Sequence, residues 1–154
     1  MTRIWTDADP FDEPPPHPLL RAIGDALSCL EPVLRSVQYD AAGPQPCVTV
    51  GFGGAWHLAG IRILDEDTLL LDLPVGEVDQ AAEVLAALLA ENLGGPWLYR
   101  VDGPSRGARL IVVIEHLMPL ADLPDLPGRL LAGWQEKLIR QGLLEALGNA
   151  GGTP

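Results

Sequence analysis

Lysine is almost missing from this 154-residue chain: nine of its ten basic residues are arginine, and Lys137 is the single lysine. Base of either kind is scarce against 21 acidic residues, which leaves a formal net charge of −11. Gripping phosphate needs a basic surface that releases counterions, so direct nucleic-acid binding is not expected. The acid surplus supports solubility and suits a basic protein partner. Cysteine is also scarce. Cys29 and Cys47 stand alone, with no CxxC and no metal-like spacing, which argues against a disulfide scaffold and leaves two buried free thiols as the expectation. Long apolar runs are missing too. The longest apolar strand pattern, Leu110–Ile114, is followed at once by Glu115 and His116, and no run approaches the ~18 residues that cross a bilayer. The acidic start of the chain has no apolar h-region, so no secretory signal is read and a cytoplasmic location is expected.

Catalytic signatures are lacking as well. Glycines 51, 53 and 54 lie between apolar runs in VTVGFGGAWHLAGIRI (48–63), as they would in a phosphate-cradling loop. A cradle, however, needs a helix N-terminus behind it. Here a strand pattern follows, no GK[ST] occurs, and Trp56 stands where a third glycine would be needed. The glycines read as a hairpin bend that requires positive φ. His17, His57 and His116 have no H-E-x-x-H relation, and Asp65, Glu66 and Asp67 lack the frame of a calcium loop. No serine sits in G-x-S-x-G. No catalytic residue, cofactor or metal is therefore expected. An unrecognised enzyme site around His57, Asp65 or His116 is the least favoured reading, and Arg106 and Arg109 could clamp an anion at a hairpin end.

What remains is a pattern of elements. Residues 1–16 form an acidic, proline-rich tail in which Ile4, Trp5 and Phe11 are positioned to dock on the body of the domain or to act as a recognition motif. Residues 17–148 read as one domain, and 149–154 as a frayed end. From Pro18 apolar residues recur at helical spacing through Leu30; Val33, Leu34 and Val37 continue the stripe past a kink at Glu31–Pro32. Three strands follow: 47–52, 56–64 and 69–73, joined by connections so short that they must be antiparallel. Residues 74–95 give the clearest helix, with Leu85, Leu88 and Leu89 on its apolar side. A hairpin at 97–102 and 108–116 precedes a proline-rich connection (117–128) and a last helix over roughly 129–147. Its apolar side is expected to carry Leu130 or Leu131, Trp134, Leu138, and Leu144 or Leu147. The expected class is a two-layer α+β domain: helix, three strands, helix, two strands, helix, around a mainly antiparallel five-stranded sheet.

This order, carried locally by VTVGFGGAWHLAGIRILDEDTLLLDLPVGE (48–77), resembles the type III secretion chaperone-like fold. In particular it is similar to the YbjN-like proteins, known as bacterial sensory transduction regulators, over about residues 18–147. The resemblance implies a small acidic homodimer that binds a segment of a client protein without turnover, by strand addition and groove filling. It carries no catalytic motif to transfer. On this reading the client is basic, such as a nucleic-acid-binding protein, and no membrane is involved. Leu85, Leu88 and Leu89 are expected at the dimer interface. Trp56 and Trp97, beside glycines at strand starts, are expected to pack on the neighbouring helix or, with Trp5, to anchor the partner. The alternative is a small-molecule or anion sensor with a pocket between sheet and helices.

Overall fold

Alternation of apolar and polar residues at a period of two organises the centre of the molecule. The structure is a computed structural model describing residues 11–53, 57–78, 90, 96–104 and 110–152. Its strands are β1 (Ser36–Asp40), β2 (Cys47–Gly51), β3 (Leu58–Ile63), β4 (Thr68–Val78), β5 (Leu98–Pro104) and β6 (Leu110–Pro119). They form one six-stranded open sheet in the order β1-β2-β3-β4-β6-β5, antiparallel at every pairing. Two helices are described, α1 (Pro18–Leu27) and α2 (Leu126–Gly152). The α+β class and the antiparallel sheet agree with the sequence reading, whereas the strand count is six instead of five.

The sixth strand is β1, and it replaces the expected continuation of the first helix. Helix α1 starts as the sequence suggests. Pro18 occupies its first turn, and the Leu20 N–H donates to His17 Nδ1 at 3.3 Å. The chain tightens to a 3-10 turn at Ser28–Leu30 and leaves the helix at Pro32, which has no N–H to continue it. Leu27, Leu30, Leu34 and Val37 are all buried, so their spacing imitates a helical stripe. Val37 nevertheless lies in β1, opposite Val50.

A second correction concerns β4. It does not stop at Leu73 but pairs with β6 as far as Val78↔Leu110, with a register shift between Pro74 and Gly76. Pro74 cannot donate to a ladder, and a bulge is where a sheet tolerates it. The helix expected from Pro74 therefore does not begin there. The rest of that expected helix, including Leu85, Leu88 and Leu89, lies outside the described residues. The last helix starts three residues earlier than expected and runs on to Gly152.

One sheet face forms the core. Val48, Val50, Ala59, Ile61, Leu71, Leu73 and Ile114 are fully buried on it, with Leu20 and Ile23 of α1 and Leu126 and Leu130 of α2 packed above. Each such side chain contributes roughly 1.5–3 kcal/mol of transfer free energy. The other face carries ion pairs: Arg62 with Asp72 at 3.1 Å and Arg100 with Glu115 at 2.7 Å. Burial pushes the Asp72 carboxyl up in pKa, and the neighbouring Arg62 and Arg100 oppose that shift.

Of the tail residues expected to dock, Ile4 and Trp5 lie outside the described residues, while Phe11 bridges Val37 in parallel through its backbone with its side chain exposed. The Asp12 N–H donates to the Val37 carbonyl at 2.8 Å and the Asp12 carboxylate accepts from the Tyr39 N–H at 3.3 Å, covering part of an edge strand. Gly53 has φ of 109°, and the Phe52 N–H closes on the His57 carbonyl at 2.8 Å, so Gly53 sits in the bend that joins β2 to β3. Both cysteines are free as expected, but neither is buried: Cys29 is exposed and Cys47 half-buried.

Helix α2 approaches the sheet closely at Gly133. A Cβ there would lie 2.5 and 2.7 Å from two ring atoms of Trp97, whereas at Gly142 nothing lies within 4 Å. Gly133→Ala is expected to destabilise the fold by about 1–3 kcal/mol through overpacking. Gly142→Ala is expected to stabilise it by about 0.5–1 kcal/mol through helix propensity. Urea unfolding of both variants checks this opposite pair of signs.

Candidate functional site

The inward stripe of α2 runs Leu126, Leu130, Gly133, Lys137, Arg140, Leu144, at alternating spacings of four and three residues. All six are buried, and Lys137 is 0 % exposed. Two cations therefore face the sheet. On the opposite side Leu131, Leu138, Ile139 and Leu143 are 42, 47, 62 and 41 % exposed. The expected apolar side is thus only partly right: Leu130 and Leu144 point inward and Trp134 is half-buried, but Leu131 and Leu138 face solvent. The side chain of Leu147 lies outside the described residues.

Trp134 is the hub beside this stripe. Its ring lies 4.7 Å from Phe52, 5.0 Å from His57 and 5.0 Å from the Lys137 ammonium, between ring centroids or from Nζ to centroid. Lys137 Nζ and His57 Nδ1 are both shielded from solvent and, among the described residues, have no hydrogen-bond partner. One turn along, Arg140 is better satisfied. Its Nε donates to Glu136 at 2.9 Å, its Nη2 donates to the Trp97 carbonyl at 3.0 Å, and its guanidinium lies 4.5 Å over the Tyr99 ring. Arg140 Nη1, however, is buried without a partner among the described residues. The Gln141 amide donates to the Val75 carbonyl at 3.1 Å, fixing the helix along β4.

An ammonium removed from water with no carboxylate beside it loses its proton more easily. Burial lowers the Lys137 pKa from the ordinary 10.5 to about 8. The cation–π contact with Trp134 offsets only part of the lost hydration. Buried donors in this state are the exception in folded proteins.

The expected site residues are scattered. Trp97 is not an exposed anchor: it is 5 % exposed, with its ring against Gly133 and 5.1 Å from His116. Trp5, Trp56, Arg106 and Arg109 lie outside the described residues. His57, Asp65 and His116 do not converge. His57 lies under Trp134, Asp65 accepts the Asp67 N–H at 2.8 Å in an exposed turn, and His116 bridges Arg129 at 2.8 Å and the Pro96 carbonyl at 3.2 Å. Among the described residues no three His, Cys, Asp or Glu side chains gather to hold a metal ion, and no helix is long and apolar enough to cross a membrane.

No family model, curated protein or solved structure matches this chain. The site is therefore read from its own geometry, and its centre, Lys137 with Arg140, is not among the residues expected from sequence. The available signal was the rarity of lysine together with the spacing of positions 126, 130, 133, 137, 140 and 144.

The Lys137 shift makes a signed prediction. The unfolded chain keeps this proton up to the ordinary lysine pKa, whereas the folded chain releases it near pH 8. Between those values the unfolded state binds more protons, so this residue's penalty is full below about pH 8 and fades as pH rises. Lys137→Met is expected to be more stable than the parent at neutral pH, by about 3 kcal/mol. The gap should narrow above pH 8. Paired urea titrations across that range measure it, and pH effects common to both proteins cancel.

Proposed function

We propose that this protein is a non-catalytic, homodimeric, chaperone-like adaptor that binds a segment of a basic client protein. The observation carrying this reading is the outward face of α2. In a chain of net charge −11, this face presents Leu131, Leu138, Ile139 and Leu143 to solvent. The positions between them on that face are Ala132, Gln135 and Gly142, so it carries no charge from Leu131 to Leu143. Copies this acidic repel one another except where they meet over uncharged surface. Exposed contiguous apolar surface is the usual mark of a protein contact.

The sequence of this face suits a copy of itself. In an antiparallel pairing of two α2 helices about a two-fold axis at position 137, Leu131 opposes Leu143 of the copy and Ala132 opposes Gly142. A two-fold contact of this kind is self-complementary. The small residues let the helices approach while the leucines interdigitate. The client is a separate matter and is assigned by charge: the acid surplus draws a basic segment, and its binding should weaken with salt.

The dimer is tested by sedimentation of the parent and of the double variant Leu138→Glu, Ile139→Glu. Both positions are exposed, so the variant should keep its circular dichroism spectrum. The parent is expected at twice the chain mass and the variant at the chain mass. A parent that stays monomeric at tens of micromolar, the order at which weak transient dimers already associate, would remove the homodimer from this proposal.

A further inference from the structure

We propose that Asp12 is a latch that holds the β1 edge of the sheet closed against a second copy of this chain, whose own β1 would otherwise pair there antiparallel about a two-fold axis at Gln38. This surface is separate from the α2 face, and the inference does not depend on the adaptor reading. β1 (Ser36–Asp40) is an outermost strand of the sheet. Its register with β2 turns the backbone groups of Val37 and Tyr39 outward, and an open row of this kind is a template for pairing with another chain. Among the described residues the outer side of β1 is paired only by Phe11 and Asp12. The Asp12 N–H donates to the Val37 carbonyl at 2.8 Å, and its carboxylate accepts the Tyr39 N–H at 3.3 Å, in the place that a strand carbonyl would fill.

The cover is short and polar. Pro14, Pro15 and Pro16 have no N–H to extend the pairing, and the His17 N–H donates to the Pro15 carbonyl at 2.7 Å, turning the chain straight into α1. Phe11 is 37 % exposed, so ring burial adds little and the bonds of Asp12 carry the contact. A copy of β1 matches what lies beneath. With the axis at Gln38, Val37 faces Tyr39 of the copy, and the two exchange N–H and C=O with each other. Ser36 opposes Asp40 of the copy and Gln38 opposes its own equivalent, so no like charges meet directly across the pair. The match extends over all five residues of β1, which assigns the edge to a second copy and not to an arbitrary strand.

The test is sedimentation of the full chain carrying Leu138→Glu and Ile139→Glu, which takes the α2 face out of the comparison, with and without Asp12→Pro. Proline at this position deletes both the N–H and the carboxylate. At tens of micromolar, where weak transient dimers already associate, the chain with Asp12 intact is expected at the chain mass and the Asp12→Pro chain at twice that mass. Adding Gln38→Glu sets like charges opposite each other on the axis and should return the Asp12→Pro chain to the chain mass. An Asp12→Pro chain that stays at the chain mass would overturn the proposal. So would a dimer that Gln38→Glu does not dissociate, or one equally present with Asp12 intact. Because the compared chains differ only at position 12, the result reads the edge whether or not α2 forms a dimer. Should Asp12→Pro fail to fold, hydrogen exchange of the Tyr39 amide in Asp12→Ala, in the same background, decides, since alanine keeps the donor and loses the acceptor. Exchange faster than with Asp12 intact in dilute solution, slowing as concentration rises, supports the latch; any other dependence overturns it.

Discussion

Among the described residues the ammonium of Lys137, buried under α2, meets no hydrogen-bond partner, and the seating of that helix turns on this. Apolar burial alone does not fix which way round the helix sits. Turned by half a revolution, it would cover Leu131, Leu138, Ile139 and Leu143 and return Lys137 to water, but it would expose Leu126, Leu130 and Leu144, so gains and losses of transfer free energy largely offset. Specific fits hold the observed orientation. Leu126 and Leu130 anchor one end and Leu144 lies near the other, all of them buried. Gly133 admits the Trp97 ring, Arg140 clasps the Trp97 carbonyl, and Gln141 clasps that of Val75. These contacts are positional, and none survives rotation of the helix.

A conflict between local burial and global seating usually marks a place where function has been bought with stability. Both sides of α2 carry such a conflict. Inward, donors lack acceptors; outward, leucines lack cover. The proposed second copy would cover the outward face. Whatever stabilises the inward seating of Lys137 and Arg140 also stabilises the outward presentation of the leucine face, because a single rigid helix carries both.

The fold was largely legible where periodicity had one interpretation. Val48 and Val50, and Ala59, Ile61 and Ile63, alternate in the sequence and alternate in burial. The glycine bend, with Gly53 at positive φ, followed from the absence of a helix behind it. Legibility ended where one spacing fits two structures. Leu27, Leu30, Leu34 and Val37 are three or four residues apart whether the chain is one helix or a helix, a turn and a strand. Only the pairing of Val37 with Val50 separates the two. Pro74 reads as a helix start on local grounds, and its place in a bulge of β4 depends on β6, which is some forty residues distant. The candidate site was the least legible part. A lone lysine on a helix ordinarily reads as part of an outer face, and the position of Lys137 depends on tertiary contacts that no local pattern contains.

The most direct test of this account exploits the single lysine. The native chain is treated with a water-soluble amine-acylating ester at mildly alkaline pH, and modification at Lys137 is quantified by mass spectrometry against a denatured control. The account predicts that Lys137 stays unmodified in the native protein and reacts fully once the chain is unfolded. Acylation of Lys137 at equal rates in both states would show that α2 turns its cations to water, and the buried site and the exposed leucine face would fall together.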